Sequence, residues 1–270
     1  MTGPAISALI RCRDEEQGIG PLIDTLRAQT VPVELVVVDS GSRDGTLEEV
    51  RRRGIAPIEI SPESFTFGHA LNVAAAAATS DLCVAISAHA LPESKEWAGR
   101  MAGALAEERV CCAFGVRIKP DLTPLEAPLL QDLALAERHP LYGYSNSAGG
   151  FRRALWEERP FDERLPACED KEWALHWLRR GMVVRLDPEL TVWHEHPEEG
   201  PVRSYRRVRG DVAAFRHFMP LEPISLGEVL TKWWSGRHLH RSSTRARLDP
   251  RRIAMLAGEW VGARGQGQRR

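Results

Sequence analysis

The 270-residue sequence lacks the features that mark secreted, membrane-spanning and thiolate-metal proteins. Its five cysteines form no CxxC pair and no framework spacing, which favours reduced thiols and a cytoplasmic setting. The chain does not open on a basic segment followed by an apolar core, so we expect no signal peptide. No apolar stretch approaches the roughly 20 residues that span a bilayer. The formal net charge of −1 points to no charged partner such as nucleic acid.

Two common phosphate-binding motifs are also missing. No G-x-G-x-x-G follows the first predicted strand, which weakens a dinucleotide-dependent dehydrogenase interpretation. No G-x-x-x-x-G-K-[ST] occurs, which argues against a P-loop NTPase. A nucleotidyltransferase would more often carry a glycine-rich, basic loop after the first strand, and the segment from Arg11 to Glu15 is not such a loop.

What the first half of the chain does contain is alternation of strand and helix patterns. Apolar runs predict strands at 5–10, 34–38, 55–60, 82–86 and 110–118. Helical patterns predict helices at 46–53, 67–78 and 93–108. This alternation predicts an α/β fold with a mostly parallel sheet and right-handed crossovers. Beyond Pro120 we expect a polar, glycine-rich loop at 142–150, a helix at 170–180, strands at 183–187 and 190–193, and an amphipathic helix at 202–215.

The last fifty residues differ in composition from the rest. From Lys232 onward basic residues outnumber acids, and Trp233-Trp234 lies close to Arg237. We therefore divide the chain into a main domain, 1–218, and a basic C-terminal appendage, 219–270. The tryptophans either pack on the main domain or form a surface for a lipid phosphate or an anionic membrane. The second alternative would place a cytoplasmic protein at the inner face of the membrane.

Polar residues follow three of the predicted strands. Asp39-Ser40-Gly41-Ser42 comes directly after Val36-Val37-Val38, Arg11 to Glu15 follows the first strand, and Ser87-Ala88-His89 follows the fourth. Because ligands bind at the carboxyl edge of parallel sheets, these segments are expected to meet in one nucleotide pocket. An acid at Asp39 can accept hydrogen bonds from a nucleobase or ribose, although a well-capped turn explains the same residues.

The order of six segments resembles the family-2 glycosyltransferases of the GT-A fold. The segments span about residues 5–215 and are 6–15, 36–46, Phe67-Gly68-His69-Ala70-Leu71-Asn72, Ser87-Ala88-His89-Ala90-Leu91-Pro92, Glu169-Asp170-Lys171-Glu172-Trp173 and Trp193-His194-Glu195-His196. The Phe-Gly-His and Ala-Leu-Pro elements look most like the rhamnosyltransferase-type branch. The resemblance implies a GT-A-like sheet flanked by helices. It also implies an inverting transfer of a hexosyl or deoxyhexosyl group from a nucleotide-diphosphate donor to an acceptor hydroxyl.

The resemblance also assigns roles to residues. Those expected to contact the donor are Arg11, Arg13, Glu15, Asp39, Ser40, Gly41, His69, Asn72, Ser87, Ala88 and His89. Asp170, with Glu169 beside it, is the expected general base, although carboxylates here also suit a helix N-terminus. Trp193 is either a core residue or a contact for a sugar face. The donor nucleotide is UDP, dTDP or GDP, and the acceptor is a saccharide, a lipid-linked compound or a small molecule; a homodimer is left open.

Ser87-Ala88-His89 departs from the family pattern, which has a metal-binding Asp-x-Asp in this place. His89, with His194 or His196, would suit Mn²⁺ better than Mg²⁺, because Mg²⁺ prefers oxygen ligands. The alternative is a metal-independent site in which protein groups and helix N-termini hold the diphosphate. A non-catalytic nucleotide-sugar-binding protein is the competing class. The Glu169-Asp170 pair argues against it, because a pure binder needs no base.

Overall fold

The computed structural model describes residues 5–121, 123–194, 200–219, 225–235 and 249–264. The chain divides into two compact units. The first consists of Met1–Arg164 with Glu169–Glu195, and the second of Leu165–Cys168 with His196–Arg270. The predicted boundary at residue 218 stays a prediction.

Ten strands are described, all in the first unit. They are β1 (Ile6–Cys12), β2 (Val33–Asp39), β3 (Ile58–Glu59), β4 (Leu82–Ser87), β5 (Ala90–Pro92), β6 (Val110–Gly115), β7 (Leu129–Gln131), β8 (Ala148–Arg152), β9 (Val183–Asp187) and β10 (Val192–His194). Eight of them form one sheet in the order β3-β2-β1-β4-β8-β6-β9-β7. The other two, β5 and β10, pair antiparallel in a separate ribbon.

Helices flank this sheet and also build the second unit. Those of the first unit are α1 (Glu16–Arg27), α2 (Thr46–Arg52), α3 (Phe67–Ala77), α4 (Trp97–Ala104), α5 (Leu133–Arg138), α6 (Arg153–Glu158) and α7 (Glu169–Leu178). Those of the second are α8 (Pro201–Phe215), α9 (Leu226–Ser235) and α10 (Pro250–Arg264). Among the described residues, none of these helices has the length and apolar character needed to cross a bilayer.

The predicted parallel core is formed by β1, β2 and β4. Cys12 pairs with Asp39 on β2, and Arg11 pairs with Ser87 on β4, so the three strands end at one edge. Alternate residues of β1 face opposite layers: Ile10 shares a core cluster with α1, and Leu9 shares one with α3. Burying each such side chain contributes roughly 1.5–3 kcal/mol to the free energy of folding. This burial holds the end of β1 in place between two helical layers.

The alanine run of α3 has the packing role that its composition predicts. Ala70, Ala74 and Ala75 are buried together with Leu71 in the α3 layer. Alanine combines high helix propensity with a small side chain, so the helix can lie close to the sheet.

One strand at the centre of the sheet corrects the sequence analysis. The predicted loop at 142–150 ends in β8, which pairs antiparallel with both β4 and β6. Its Ala-Gly-Gly sequence gives no strand signal, because glycine is depleted in strands. Glycine is needed here by packing: a Cβ on Gly149 would overlap the backbone carbonyl oxygen of Ser145, and one on Gly150 would lie 2.5 Å from Sδ of Met101.

Other predicted elements differ mainly in length. Strand β3 has two of the six expected residues, β6 stops at Gly115, and α4 is shorter than the predicted helix at 93–108. The helices predicted at 46–53 and 170–180 are followed by Gly54 and Gly181, with φ of 72° and 85°. Both glycines adopt the left-handed conformation that closes helices.

In the second unit α8 packs against α10. A Cβ on Gly258 would lie 2.7 Å from the carbonyl oxygen of Tyr205, and one on Gly262 would lie 2.8 Å from that of Arg209. Both glycines therefore allow close approach of the two helices. Most of the basic segment that follows Lys232, residues 236–248 and 265–270, lies outside the described residues, so its membrane role stays a prediction.

Candidate functional site

The turn after β2 is built around Asp39, which is only 1% exposed. Its Oδ1 accepts the backbone N–H groups of Gly41 at 2.9 Å and Ser42 at 3.0 Å. Its Oδ2 accepts the Ser42 hydroxyl and lies 3.6 Å from Sγ of Cys12. A carboxylate offers about four lone-pair positions, so the turn uses all of them. The observed bonds are those of a capped turn, and contact between Asp39 and a nucleoside stays a prediction.

The loop after β1 is joined to that turn by backbone hydrogen bonds. The N–H of Asp14 donates to Oγ of Ser42 at 3.0 Å, and the N–H of Glu15 donates to Oγ1 of Thr46 at 2.7 Å. The buried Ser40 hydroxyl bonds back to β1, on the carbonyl oxygen of Cys12 at 3.3 Å. Two of the three predicted segments therefore form one rigid rim at the edge of the sheet.

The third segment joins this rim through His89. Nδ1 of His89 lies 2.9 Å from Oε1 of Glu15, and its Nε2 lies 3.1 Å from Nε2 of His194. The ribbon positions His194, because this residue pairs with Ala90, next to His89. A carboxylate accepts hydrogen bonds, so the tautomer that fits this contact has Nδ1–H of His89 donating to Glu15, and in that tautomer Nε2 carries the lone pair.

The two imidazoles suit a divalent transition ion. Two nitrogens that bind one ion at about 2.1 Å lie about 3.0 Å apart at right angles and about 3.4 Å apart at the tetrahedral angle. The observed 3.1 Å between the Nε2 atoms of His89 and His194 falls in this range. The rings are stacked, within 5° of parallel with centroids 4.8 Å apart, and without a metal the same 3.1 Å is an N–H···N hydrogen bond between them.

The ligand set is nonetheless small. The described part of the chain contains no group of three or more His, Cys, Asp or Glu side chains arranged for a metal. His196, predicted as a ligand, lies outside the described residues. Ser87 and Ala88 supply no carboxylate; the backbone N–H of Ser87 donates to the carbonyl oxygen of Ser147 at 2.9 Å. A metal here would need further ligands from substrate or water.

The predicted base lies at the start of α7, close to the end of β1. Oδ2 of half-buried Asp170 accepts the backbone N–H of Asn146 at 3.0 Å, and its Oδ1 accepts that of Lys171 at 2.7 Å. Glu169 is 4% exposed, and its Oε1 accepts Nδ2 of Asn146 at 3.1 Å. Nη1 of Arg11 lies 3.8 Å from the same Oε1.

Burial and charge perturb this cluster strongly. Desolvation, followed by the charge of Asp170, raises the pKa of Glu169 to about 7, while Arg11 and the Asn146 amide oppose the shift. Arg11 also lies over the ring of Phe67, with its guanidinium carbon 5.0 Å from the centroid. Among the described residues, Nε and Nη1 of Arg11 are buried without hydrogen-bond partners. Such groups concentrate at functional sites.

Three residues predicted to contact the donor, Arg13, His69 and Asn72, are not joined to the rim by hydrogen bonds in the described part of the chain. His69 and Asn72 both bond Glu163, through Nδ1 at 3.0 Å and Nδ2 at 2.8 Å. Asn72 also bonds the backbone of Phe161, so it connects α3 to the segment before α7. Arg13 is exposed and has no hydrogen bond or ion pair within the described ranges. Their roles toward a donor stay predictions.

Neither Asn146 nor Glu163 is singled out from the sequence, and Thr46 is included only as part of the segment 36–46. All three act through long-range contacts that no local motif reports. The polar loop at 142–150 was the only available signal for Asn146. Trp193 is 58% exposed. It is therefore not a core residue, which was one of the two alternatives for this position.

The comparisons with known proteins concern both fold and family. No curated protein sequence matches the chain. Among solved structures, the mannosyltransferase PcManGT from Pyrobaculum calidifontis, in complex with GDP-Man and Mn²⁺, is 20% identical with a TM-score of 0.63; the match covers 95% of this chain and 70% of that one. S. aureus TarS 1–349 is 17% identical with a TM-score of 0.57, over 98% and 93% of the two chains.

A third structure is glucosyl-3-phosphoglycerate synthase from Mycobacterium tuberculosis, in complex with Mn²⁺, UDP-Glc and phosphoglyceric acid. It is 22% identical with a TM-score of 0.55, over 83% of each chain. These likenesses confirm the predicted GT-A-like fold. The model of the family described as "Glycosyl transferase family 2" matches residues 7–177. The chain therefore belongs to glycosyl transferase family 2 and is a nucleotide-sugar-dependent glycosyltransferase.

Proposed function

We propose that this enzyme transfers a hexosyl or deoxyhexosyl group, with inversion, to an acceptor hydroxyl, and that Asp170 is the general base. The observation that carries the proposal is the placement of Asp170. Its carboxylate is half-buried and oriented by two backbone N–H groups, beside the edge where β1 and β4 end. A base must reach the reacting hydroxyl at hydrogen-bond distance, and a carboxylate held in this way is preorganised for it.

The transfer is a single displacement. Asp170 takes the proton of the acceptor hydroxyl while the hydroxyl oxygen forms a bond to the anomeric carbon. The bond from that carbon to the diphosphate oxygen breaks, and the nucleoside diphosphate leaves with the electron pair. Attack from the face opposite the leaving group inverts the anomeric configuration. A retaining hydrolase would instead need a second carboxylate as nucleophile.

The donor would lie along the rim formed by the turn after β2, the loop after β1 and His89. The family and its Mn²⁺-containing structural neighbours support a divalent ion, and His89 and His194 are the residues that would hold it. When bound, the ion would neutralise negative charge on the leaving diphosphate. In a metal-independent enzyme, protonated imidazole and helix N-termini would supply that charge. The donor nucleotide is UDP, dTDP or GDP, and the rhamnosyltransferase-like branch stays a prediction.

The test combines nucleotide binding with turnover. UDP, dTDP and GDP and their sugars are screened by thermal shift, with Mn²⁺ and after EDTA, and the stabilising sugar is then used in transfer assays. Asp170→Asn should bind the donor as the parent enzyme does but lose transfer by at least about 10³-fold. Asp81→Asn, a matched change at an exposed position, should remain active. Retained turnover by Asp170→Asn would remove Asp170 as the base, and the absence of any nucleotide shift would overturn the donor site.

A further inference from the structure

We propose that Asn146 is a positioning residue, which fixes the carboxylates of Glu169 and Asp170 in their reactive arrangement from a different element of the fold. The inference rests on the proposed role of Asp170 as the general base. It adds a residue outside the family segments that led to that role.

The geometry around Asn146 carries the proposal. This residue is 2% exposed and lies two positions before β8. Its backbone N–H donates to Oδ2 of Asp170 at 3.0 Å, and its Nδ2 donates to Oε1 of Glu169 at 3.1 Å. Its carbonyl oxygen accepts Nη2 of Arg11 at 3.3 Å. The backbone N–H, the side-chain amide and the carbonyl oxygen of Asn146 therefore bond Asp170, Glu169 and Arg11, respectively.

The orientation of the amide follows from its neighbours. If the amide of Asn146 were turned over, its oxygen would face the ionised Glu169 carboxylate without a proton between them. In the observed orientation Oδ1 is buried and has no hydrogen-bond partner in the described part of the chain. An unpaired buried acceptor costs about 1–3 kcal/mol, so this arrangement favours the donor contact at the expense of stability.

Asn72 provides the contrast within the same molecule. Its Nδ2 donates to the carbonyl oxygen of Phe161 and to Glu163, and its Oδ1 accepts the N–H groups of Trp156 and Phe161. Every polar atom of that side chain is paired, as expected for a structural asparagine. Asn146 uses its amide only toward the Glu169 carboxylate, which is the pattern of a residue that orients a reactive group.

The charge balance explains why positioning is needed. The groups that face Glu169 are Asp170 on its own helix, Arg11 on β1, and Asn146 and Tyr144 from the segment before β8. Burial raises the pKa of Tyr144 far above neutrality, so this phenol remains uncharged. The Asn146 amide and Arg11 lower the pKa of Glu169 and oppose desolvation and the charge of Asp170. Removing the amide therefore favours protonation of Glu169.

The experiment compares Asn146→Ala and the isosteric Asn146→Asp with Gln29→Ala, which removes a part-buried amide that bonds Ser94 and Ala98 beyond the far end of α1. We expect both Asn146 variants to lower kcat by about 10- to 100-fold, the usual effect of losing an orienting contact. Donor affinity should change less than about twofold by thermal shift or calorimetry. Gln29→Ala should retain the parent kcat. Asn146→Asp preserves shape, removes the amide donor and adds a carboxyl group beside Glu169, so its kcat should fall at least as far as that of Asn146→Ala. It therefore tests the proposal even if Asn146→Ala folds poorly.

A pH profile separates positioning from a general packing role. In the parent enzyme kcat should rise with pH as Glu169 ionises, because ionised Glu169 keeps its contacts to Asn146 and Arg11. The rising limb should move to higher pH in Asn146→Ala and disappear in Glu169→Gln. Parent kcat and an unshifted limb in both Asn146 variants would overturn the positioning role, provided that Asp170→Asn is inactive. If Asp170→Asn is active, the assignment of the base fails first.

Discussion

Nε2 of His194 lies 3.1 Å from Nε2 of His89, and the two rings are nearly parallel. His89 belongs to Ser87-Ala88-His89, the segment that the family resemblance places where other members have an Asp-x-Asp, and His194 matches the place of a late histidine. Exchanging carboxylate oxygens for imidazole nitrogens changes the preferred ion, because nitrogen donors suit transition metals and oxygen donors suit Mg²⁺.

The first prediction concerns that preference. In the presence of a nucleoside diphosphate, Mn²⁺, Co²⁺ or Zn²⁺ should raise the Tm more than Mg²⁺ at equal concentration. His194→Ala should abolish the difference, which calorimetry and the Mn²⁺ EPR signal can measure without any turnover. Equal stabilisation by Mg²⁺ and Mn²⁺, or none by either, would contradict a site built on the two imidazoles.

The second prediction concerns Glu15, which accepts Nδ1–H of His89. Glu15→Ala should weaken metal binding by about 10- to 100-fold, because the ring loses the partner that fixes its tautomer. Glu15→Gln keeps an acceptor oxygen and should recover much of the affinity. Glu48→Ala, an exposed carboxylate on α2, serves as the control. If Glu15→Ala weakened nucleotide binding without metal by the same factor, Glu15 would instead be a donor contact.

The third prediction is a dependence of stability on pH. The pKa of Glu169 is raised in the folded state to about 7, from an ordinary value near 4.5. The folded state therefore binds the proton more tightly, and this stabilisation is present below about pH 4.5 and lost as pH rises through 7. Glu169→Gln should unfold with similar free energy at low pH and gain on the order of 3 kcal/mol over the parent at pH 8. Urea unfolding at pH 5 and pH 8 measures this difference, and a constant offset between the two proteins would contradict it.

The fourth prediction follows from the saturated carboxylate of Asp39. Asp39→Ala should lower the free energy of unfolding by about 2–3 kcal/mol without nucleotide, because two backbone N–H groups and a hydroxyl lose their acceptor. Asp24→Ala, at an exposed carboxylate paired with Arg53, should cost less than about 1 kcal/mol. Equal costs in urea unfolding would mean that the turn does not depend on Asp39.

The elements that could be predicted from the sequence are those with a local cause. Strands β1, β2 and β4 are continuous apolar runs, and α2 ends at a glycine, so hydrophobic pattern and backbone conformation identify them. The same reasoning brought Glu15 and His89 to one edge, where the structure joins them by a hydrogen bond.

The parts that could not be predicted depend on tertiary packing. Gly149 and Gly150 give no strand signal, and their place in β8 is required only by neighbours such as Met101. The bond from Asn146 to Glu169 spans 23 residues, and that from Asn72 to Glu163 spans 91, so no local spacing reports them.

The reversed direction of β8 has a further consequence. A parallel strand brings the residues that follow it to the carboxyl edge of its neighbours, whereas an antiparallel strand brings the residues that precede it. Ala148, the first residue of β8, pairs with Ile86 near the end of β4, so residues 145–147 reach the same edge as His89. One inverted strand thus brings a late part of the chain to the edge where β1 ends, and Nη2 of Arg11 bonds there to the carbonyl oxygen of Asn146, 135 residues further along the chain.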